Sequence, residues 1–308
     1  MNIDLYSKEI ALFFDKLRFQ RNMTQEEFTD DIVSLRQFRR YLSGEYQIPQ
    51  KIFNKLSNKL GFKPEHLILE FESDKFQETQ LLNKLNNYIV NKDFESAKLI
   101  FNQIDVEHLI DTNNTLIYKY SLFLMHFYQN IITPNQYILE IKHLVNYDSI
   151  FNKNILSSTE IILLSSLLPL KAFEDKIKVI NILEKYINQQ KTIISGHNDR
   201  LLLLCLYYIA LFYGSQKVYN KVIDYCAKAI EFCHNLKLSY LLEDFYYYSA
   251  LAYHAINDKD KFEEFLFRCY CILNAENNRS KINKYYALFV KDFGIEVESE
   301  IIKYIKNK

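Results

Sequence analysis

Five of the chain's eight arginines, Arg18, Arg21, Arg36, Arg39 and Arg40, fall in its first 40 residues. A guanidinium is a planar fork of N–H donors that fits a guanine edge or a phosphate. Arg36 stands three and four residues before Arg39 and Arg40, so on a helix the three share one face. Leu35 beside them could meet a thymine methyl, and Gln37 could hydrogen-bond a base edge. The same row could also be a solvated helix face, so its meaning depends on the element that presents it.

A second group of residues lies far downstream. Tyr240, Tyr246, Tyr247, Tyr248 and Tyr253 crowd one segment, and Tyr207 and Tyr208 precede them. Tyrosine offers a large, rigid contact area with a polar tip, which suits peptide recognition, although such rings also fill packing between helices. Asp244 stands among these aromatics, and an acid in that setting needs a partner. A lysine or arginine of the chain or a group on a ligand would serve.

Catalytic chemistry finds little support. The seven histidines are scattered without H-E-x-x-H spacing, and no P-loop, G-x-G-x-x-G or G-x-S-x-G is present. An enzyme is not expected, nor a cofactor or metal. The five cysteines are odd in number and include no C-x-x-C pair. Reduced thiols in a cytoplasmic protein are therefore expected. The N-terminal residues are polar and charged, unlike a secretory leader. The longest apolar run, Leu201 to Tyr213, falls short of the roughly 20 residues of a membrane span. It reads as a buried helix, and no membrane association is expected.

Stepping out to the elements, the 49% hydrophobic and 25% charged composition is that of a soluble globular chain. With only five glycines and four prolines, there is too little turn chemistry for a β-rich fold. Each glycine follows or separates a stretch of helical periodicity, where a left-handed cap is wanted. The chain is expected to be all-α. A first helix runs from about Lys8 to Arg21 on Ile10, Phe13, Phe14 and Leu17. Thr24 with Glu27 forms a capping box that opens a second helix at Gln25. Ser34 with Gln37 reads as another box, opening a third helix, Leu35 to Leu42, which Ser43 and Gly44 end. Pro49 opens a fourth, facing inward through Ile52, Phe53, Leu56 and Leu60. Two short capped helices in succession are the local grammar of helix-turn-helix.

These residues resemble the helix-turn-helix domain of the phage-repressor (Xre/Cro) class over about residues 8–62. The resemblance implies that Leu35, Arg36 and Gln37, with Arg40 one turn later, read bases, and that Thr24 and Gln25 meet phosphate. Ser34 and Arg39 complete the DNA-facing set. Two departures stand out. Asp31-Ile32-Val33 replaces the usual turn glycine in a segment one residue shorter. Leu42 replaces the usual glutamate partner of Arg18, which leaves Arg18 available to a phosphate. Phe28, Ile32, Phe38 and Tyr41 are expected in the core. Residues 1–70 hold 11 basic against 10 acidic side chains and the whole chain is neutral. The basic charge is thus focused rather than abundant, and affinity should depend on dimerisation.

From Phe76 onward, helical stretches alternate with polar breaks at Asn91–Asp93, Thr133–Asn135, Gly196–Asn198, Gly214–Ser215 and Asn257–Asp260. Phe94-x-x-Ala97, Tyr219-x-x-Val222 and Phe262-x-x-Phe265 recur at the starts of second helices. Asn220 to Cys233 is similar to the second helix of a tetratricopeptide repeat. About five degenerate tetratricopeptide-like hairpins fit before Gly294, forming a superhelix with a final helix beyond it. Residues 1–70 are expected to form the helix-turn-helix domain and residues 71–308 the sensor and dimerisation domain.

This arrangement resembles the peptide-pheromone regulators of Gram-positive bacteria, the group named for Rap, Rgg, NprR, PlcR and PrgX, and within it PlcR-like members. The resemblance implies a cytoplasmic homodimer that binds a double-stranded DNA operator. A short signalling peptide on the concave repeat face would control promoter binding. Where members use asparagines on inner helices, this chain offers Tyr207 and Tyr208, then Asp244, Tyr247 and Tyr248. The alternative reading is a repeat scaffold that sequesters a partner protein.

Overall fold

The computed structural model describes residues 6–153, 155–188, 192–193 and 199–306. The expected break at Gly196–Asn198 lies outside them. Among the described residues there are seventeen α-helices and one two-residue parallel bridge, Ile155–Leu156 to Thr192–Ile193. Two compact units divide between residues 137 and 138.

The first unit opens with α1 (Ser7–Gln20), α2 (Gln25–Thr29), α3 (Leu35–Ser43) and α4 (Gln50–Lys59). α1 buries Ile10, Phe13, Phe14 and Leu17, the stripe its 3–4 spacing predicts. Phe28, Phe38, Tyr41, Phe53 and Leu56 close over it from the next three helices. The Phe14 ring lies 5.8 Å from Phe28 and 5.7 Å from Phe53, and Phe28 meets Phe38 edge-on at 5.5 Å. Ring pairs at such distances add about 0.5–1.5 kcal/mol beyond the burial itself. Between α2 and α3, Asp31 takes a left-handed φ of +58°. A short polar side chain tolerates that conformation, so Asp31 fills the role of the missing turn glycine.

α5 (Pro64–Val90) runs straight through the boundary expected near residue 70. Its Leu67 and Phe71 join the core of the first four helices, Phe71 lying 5.6 Å from Phe13. Short turns then lead to α6 (Phe94–Phe101) and α7 (Thr112–Tyr128). Half-buried ion pairs stitch these elements together. Lys16 of α1 reaches Asp74 at 2.6 Å and Glu78 at 3.2 Å. Lys75 reaches Glu9 of α1 at 2.8 Å and Asp111, the cap of α7, at 3.2 Å. Glu78 also accepts from the Ile110 amide and the Asn114 side chain, each at 3.3 Å. Burial still lifts its carboxyl above the usual range.

The division between units falls within α8 (Pro134–Leu144). After it come α9 (Tyr147–Ile150), α10 (Ser158–Ser166), α11 (Lys176–Ile187), α12 (Asp199–Ser215), α13 (Tyr219–Leu236), α14 (Leu242–Ala255), α15 (Lys259–Glu276), α16 (Arg279–Phe293) and α17 (Val297–Lys306). α13 buries Val222, Cys226, Ala229 and Cys233, the small–large seam expected of a repeat's second helix. It packs on α12 and α14, and α15 packs on α14. The first helices of successive pairs also touch, α12 with α14 and α14 with α16. This is the helical-repeat pattern read from the sequence. Cys205, Cys226, Cys233 and Cys269 are buried free thiols, and Cys271 is an exposed one.

Gly44, Gly61 and Gly294 take positive φ as expected. Gly214 does not; it sits inside the last turn of α12, and Lys217 makes the left-handed turn instead. Among the described residues ten non-glycine positions have positive φ, five of them asparagine. Asparagine is well suited to that region, which is how a helical chain with so few glycines turns so often.

Candidate nucleic-acid interface and first-helix face

At the start of α2, Thr24 and Glu27 form the expected capping box. The Glu27 amide donates to Thr24 Oγ1 at 3.1 Å, and the Thr24 amide donates to Glu27 Oε2 at 2.7 Å. The bonds from Thr24 hold the Glu27 carboxyl below the usual carboxylate range. At the start of α3, Ser34 Oγ accepts from the Gln37 amide at 3.2 Å. The return bond from Gln37 to Ser34 is not made, so this is a simple N-cap rather than a box.

The two caps fix α3 with its polar side outward. Leu35, Arg36, Arg39 and Arg40 line one open surface depression, together with Ser43 and Glu45. Arg36 is exposed and has no hydrogen-bond or ion-pair partner among the described residues. Arg39 receives only a long bond, its Nε donating to Gln25 Oε1 at 3.4 Å. Gln25 in turn donates to Asp15 at 3.0 Å. Thr24 is exposed at the positive end of α2, and Ser34 is exposed at that of α3. Phe28, Phe38 and Tyr41 are buried and Ile32 is half-buried, in keeping with their expected core role.

Arg18 corrects one expectation. It is not free for phosphate: its Nε donates to Asp15 at 2.6 Å and its Nη1 to the Met23 carbonyl at 2.7 Å. With Leu42 in the usual acid's place, an aspartate one turn earlier on α1 takes over. Glu45 and Tyr46 were not legible as members of this surface; a glutamate just beyond the Gly44 cap was the only signal.

In the second unit, Tyr207 and Tyr208 of α12 lie with ring centroids 5.3 Å apart, and Tyr207 is 5.8 Å from Tyr248 of α14. All three are half-buried, and desolvation pushes the Tyr248 hydroxyl upward. Asp244, one turn before Tyr248, accepts a 2.5 Å bond from the Tyr285 hydroxyl of α16. Desolvation pushes its carboxyl up to about 6, against the smaller opposing pull of Tyr285, Lys284 and Lys281. The first partner of Asp244 is therefore a tyrosine, not the lysine or arginine the sequence offered. Neighbouring Glu243 is 3% exposed. It pairs with Lys281, while its Oε2 has no partner.

Tyr247 stands apart from this group. It is 4% exposed, its hydroxyl donates to Asp292, and its ring packs on Tyr285 and Phe289 at 5.7 and 5.8 Å. It is a core residue between α14 and α16, because one step along a helix turns a side chain by about 100°. The structure thus gathers Tyr207, Tyr208, Asp244 and Tyr248 on the first-helix row and withdraws Tyr247. Tyr285, Glu243 and Lys281 were missed, since nothing in local spacing links α14 to α16.

Among the described residues no helix is long and apolar enough to cross a membrane, and no cluster of His, Cys, Asp and Glu fits a metal ion. No family model and no curated protein matches the chain by sequence. Solved structures do match by shape. PlcR of Bacillus thuringiensis, in complex with the peptide PapR7 and DNA, is 15% identical at a TM-score of 0.51, over 91% of this chain and 99% of that one. ComR of S. thermophilus, in complex with DNA and its signalling peptide ComS, is 13% identical at 0.55, over 93% and 100%. ComR of Streptococcus vestibularis, with its cognate signalling peptide XIP, is 17% identical at 0.52, over 93% and 99%. Over nine tenths of its length the chain has the all-helical fold of PlcR and ComR, helix-turn-helix followed by tetratricopeptide-like repeats.

Proposed function

We propose that this chain is a DNA-binding transcriptional regulator whose repeat half binds a short signalling peptide and thereby controls promoter binding. Residues 1–70 supply the DNA-reading surface and residues 71–308 the sensor. It acts as a cytoplasmic homodimer, without catalysis. The observation that carries the reading is Arg36: an exposed, unpartnered guanidinium beside Leu35, Arg39 and Arg40, on a helix whose start is capped. Half-buried tyrosines beside Asp244 on the first-helix row support the sensing half. So does the fold shared with PlcR and ComR, which were solved in complex with a peptide and DNA.

A mobility-shift assay on the DNA upstream of the chain's own gene tests the DNA half. Arg36→Ala is expected to weaken specific binding by the value of a bidentate base contact, about 1–3 kcal/mol, with the fold intact by circular dichroism. Unchanged affinity would remove α3 as the reader. For the sensing half, the probe is a peptide encoded by a short secreted reading frame beside the gene. Calorimetry should show weaker binding by Asp244→Ala and by Tyr248→Ala. Parent-like binding by both variants would place the ligand elsewhere or leave the repeats to grip a protein.

A further inference from the structure

We propose that Glu45 is a specificity-determining residue of the DNA-reading surface. Its carboxylate holds Arg40 in the free protein and so withholds one cation from DNA that offers only loosely placed phosphates. The inference rests on the DNA-binding reading above.

Gly44, at φ +81°, turns the chain back at the end of α3. The amides of Glu45 and Tyr46 then both donate to the Arg40 carbonyl, at 3.0 and 3.4 Å. This return path sets Glu45 in the same depression as Arg36, Arg39 and Arg40. Its Oε2 lies 3.4 Å from Arg40 Nε, and the Tyr46 ring lies 4.6 Å from the Arg40 guanidinium carbon. Arg40 is therefore engaged twice, while Arg36, one turn earlier on the same face, is engaged by nothing. Glu45 has no packing role that would account for its position, because its side chain is 60% exposed.

The strength of the pair sets its effect. An exposed ion pair is weak, so a guanine edge that takes the guanidinium bidentately displaces Glu45 readily. A phosphate that fits poorly gains less, and it also meets the Glu45 charge nearby. Affinity for unfitted DNA falls more than affinity for a fitted site, which is discrimination by a built-in competitor. Tyr46 keeps the released Arg40 close to the surface through its ring face.

The test uses the full chain and a mixed-sequence DNA duplex, with binding followed by fluorescence anisotropy over a range of salt. Glu45→Gln is expected to bind this duplex about threefold more tightly than the parent, the scale of an exposed pair. The slope of log affinity against log salt should steepen by about 0.9, the mark of one added phosphate contact. In an Arg40→Ala background Glu45→Gln should give neither change. Glu70→Gln, which removes the same charge from an exposed position on α5, should give neither change either. A Glu45→Gln variant that binds no better than the parent overturns the proposal. So does a gain that survives Arg40→Ala or is matched by Glu70→Gln. A folded parent that binds no duplex at the lowest salt overturns the DNA-binding reading itself, and this inference falls with it.

Discussion

Asp244 weakens the fold at neutral pH. An unfolded aspartate titrates near 3.9, and here the folded value is about 6, raised by desolvation. The folded chain therefore holds this proton more tightly than the unfolded chain. The group's destabilisation is absent below about pH 4, grows as pH rises through about 6, and is complete above it. Its size is on the order of 2 kcal/mol. Asp244→Asn keeps a carbonyl acceptor for Tyr285 and removes the charge, so it should raise the unfolding temperature at pH 8 and leave it nearly unchanged at pH 4. Equal shifts at both would show that the carboxyl is not the cause. The sequence marked Asp244 as an acid in want of a partner. It did not supply that partner, because Tyr285 lies two helices downstream and long-range pairing has no local signature. Arg18 is the reverse case: its usual partner is visibly missing, and Asp15, three residues before it, was overlooked.

Elements were far more legible, because caps and apolar periodicity are local physics. The Thr24–Glu27 box, the Ser34 cap and the Gly44 terminus all stand where residue spacing predicts. Ser34→Ala should cost about 1 kcal/mol, as lost N-caps do, and should weaken DNA binding by fraying the start of α3 while Arg36 stays in place. Denaturant unfolding read beside a mobility shift checks both parts. Glycines were harder to read, since sequence shows their freedom but not its use. Gly44 takes φ +81°, and an added Cβ would meet Lys8 Cδ at 3.0 Å; at Gly214 it would meet only Val222 Cγ2 at 3.8 Å. Gly44→Ala should therefore destabilise by more than about 1 kcal/mol. Gly214→Ala, in the last turn of a helix, should stabilise by up to about 1 kcal/mol. Thermal unfolding of the two variants should move in opposite directions.

At the scale of the whole molecule, neutrality has to be reconciled with DNA binding. A single helix-turn-helix with a net charge of +1 and a small footprint binds weakly. A homodimer doubles both the charge and the surface on a two-fold operator. Light scattering at micromolar concentration should report twice the chain mass when DNA is present, and a monomer with and without DNA would contradict the dimer. The all-α class and the repeat period could be read in advance; the seam between units could not. Residue 70 looked like a boundary because the resemblance to phage repressors stops near it, whereas α5 carries the core and its ion pairs onward. That continuity bears on how such genes can be recombined. A graft of this reading head onto a foreign sensor, cut at residue 70, would strip Phe13 of Phe71 and leave Lys16 and Glu9 without their counter-ions. A transplant cut beyond Tyr128 keeps every one of those contacts. The exchangeable cassette is the head together with its first hairpin, and shuffling among relatives is expected to leave its crossovers there.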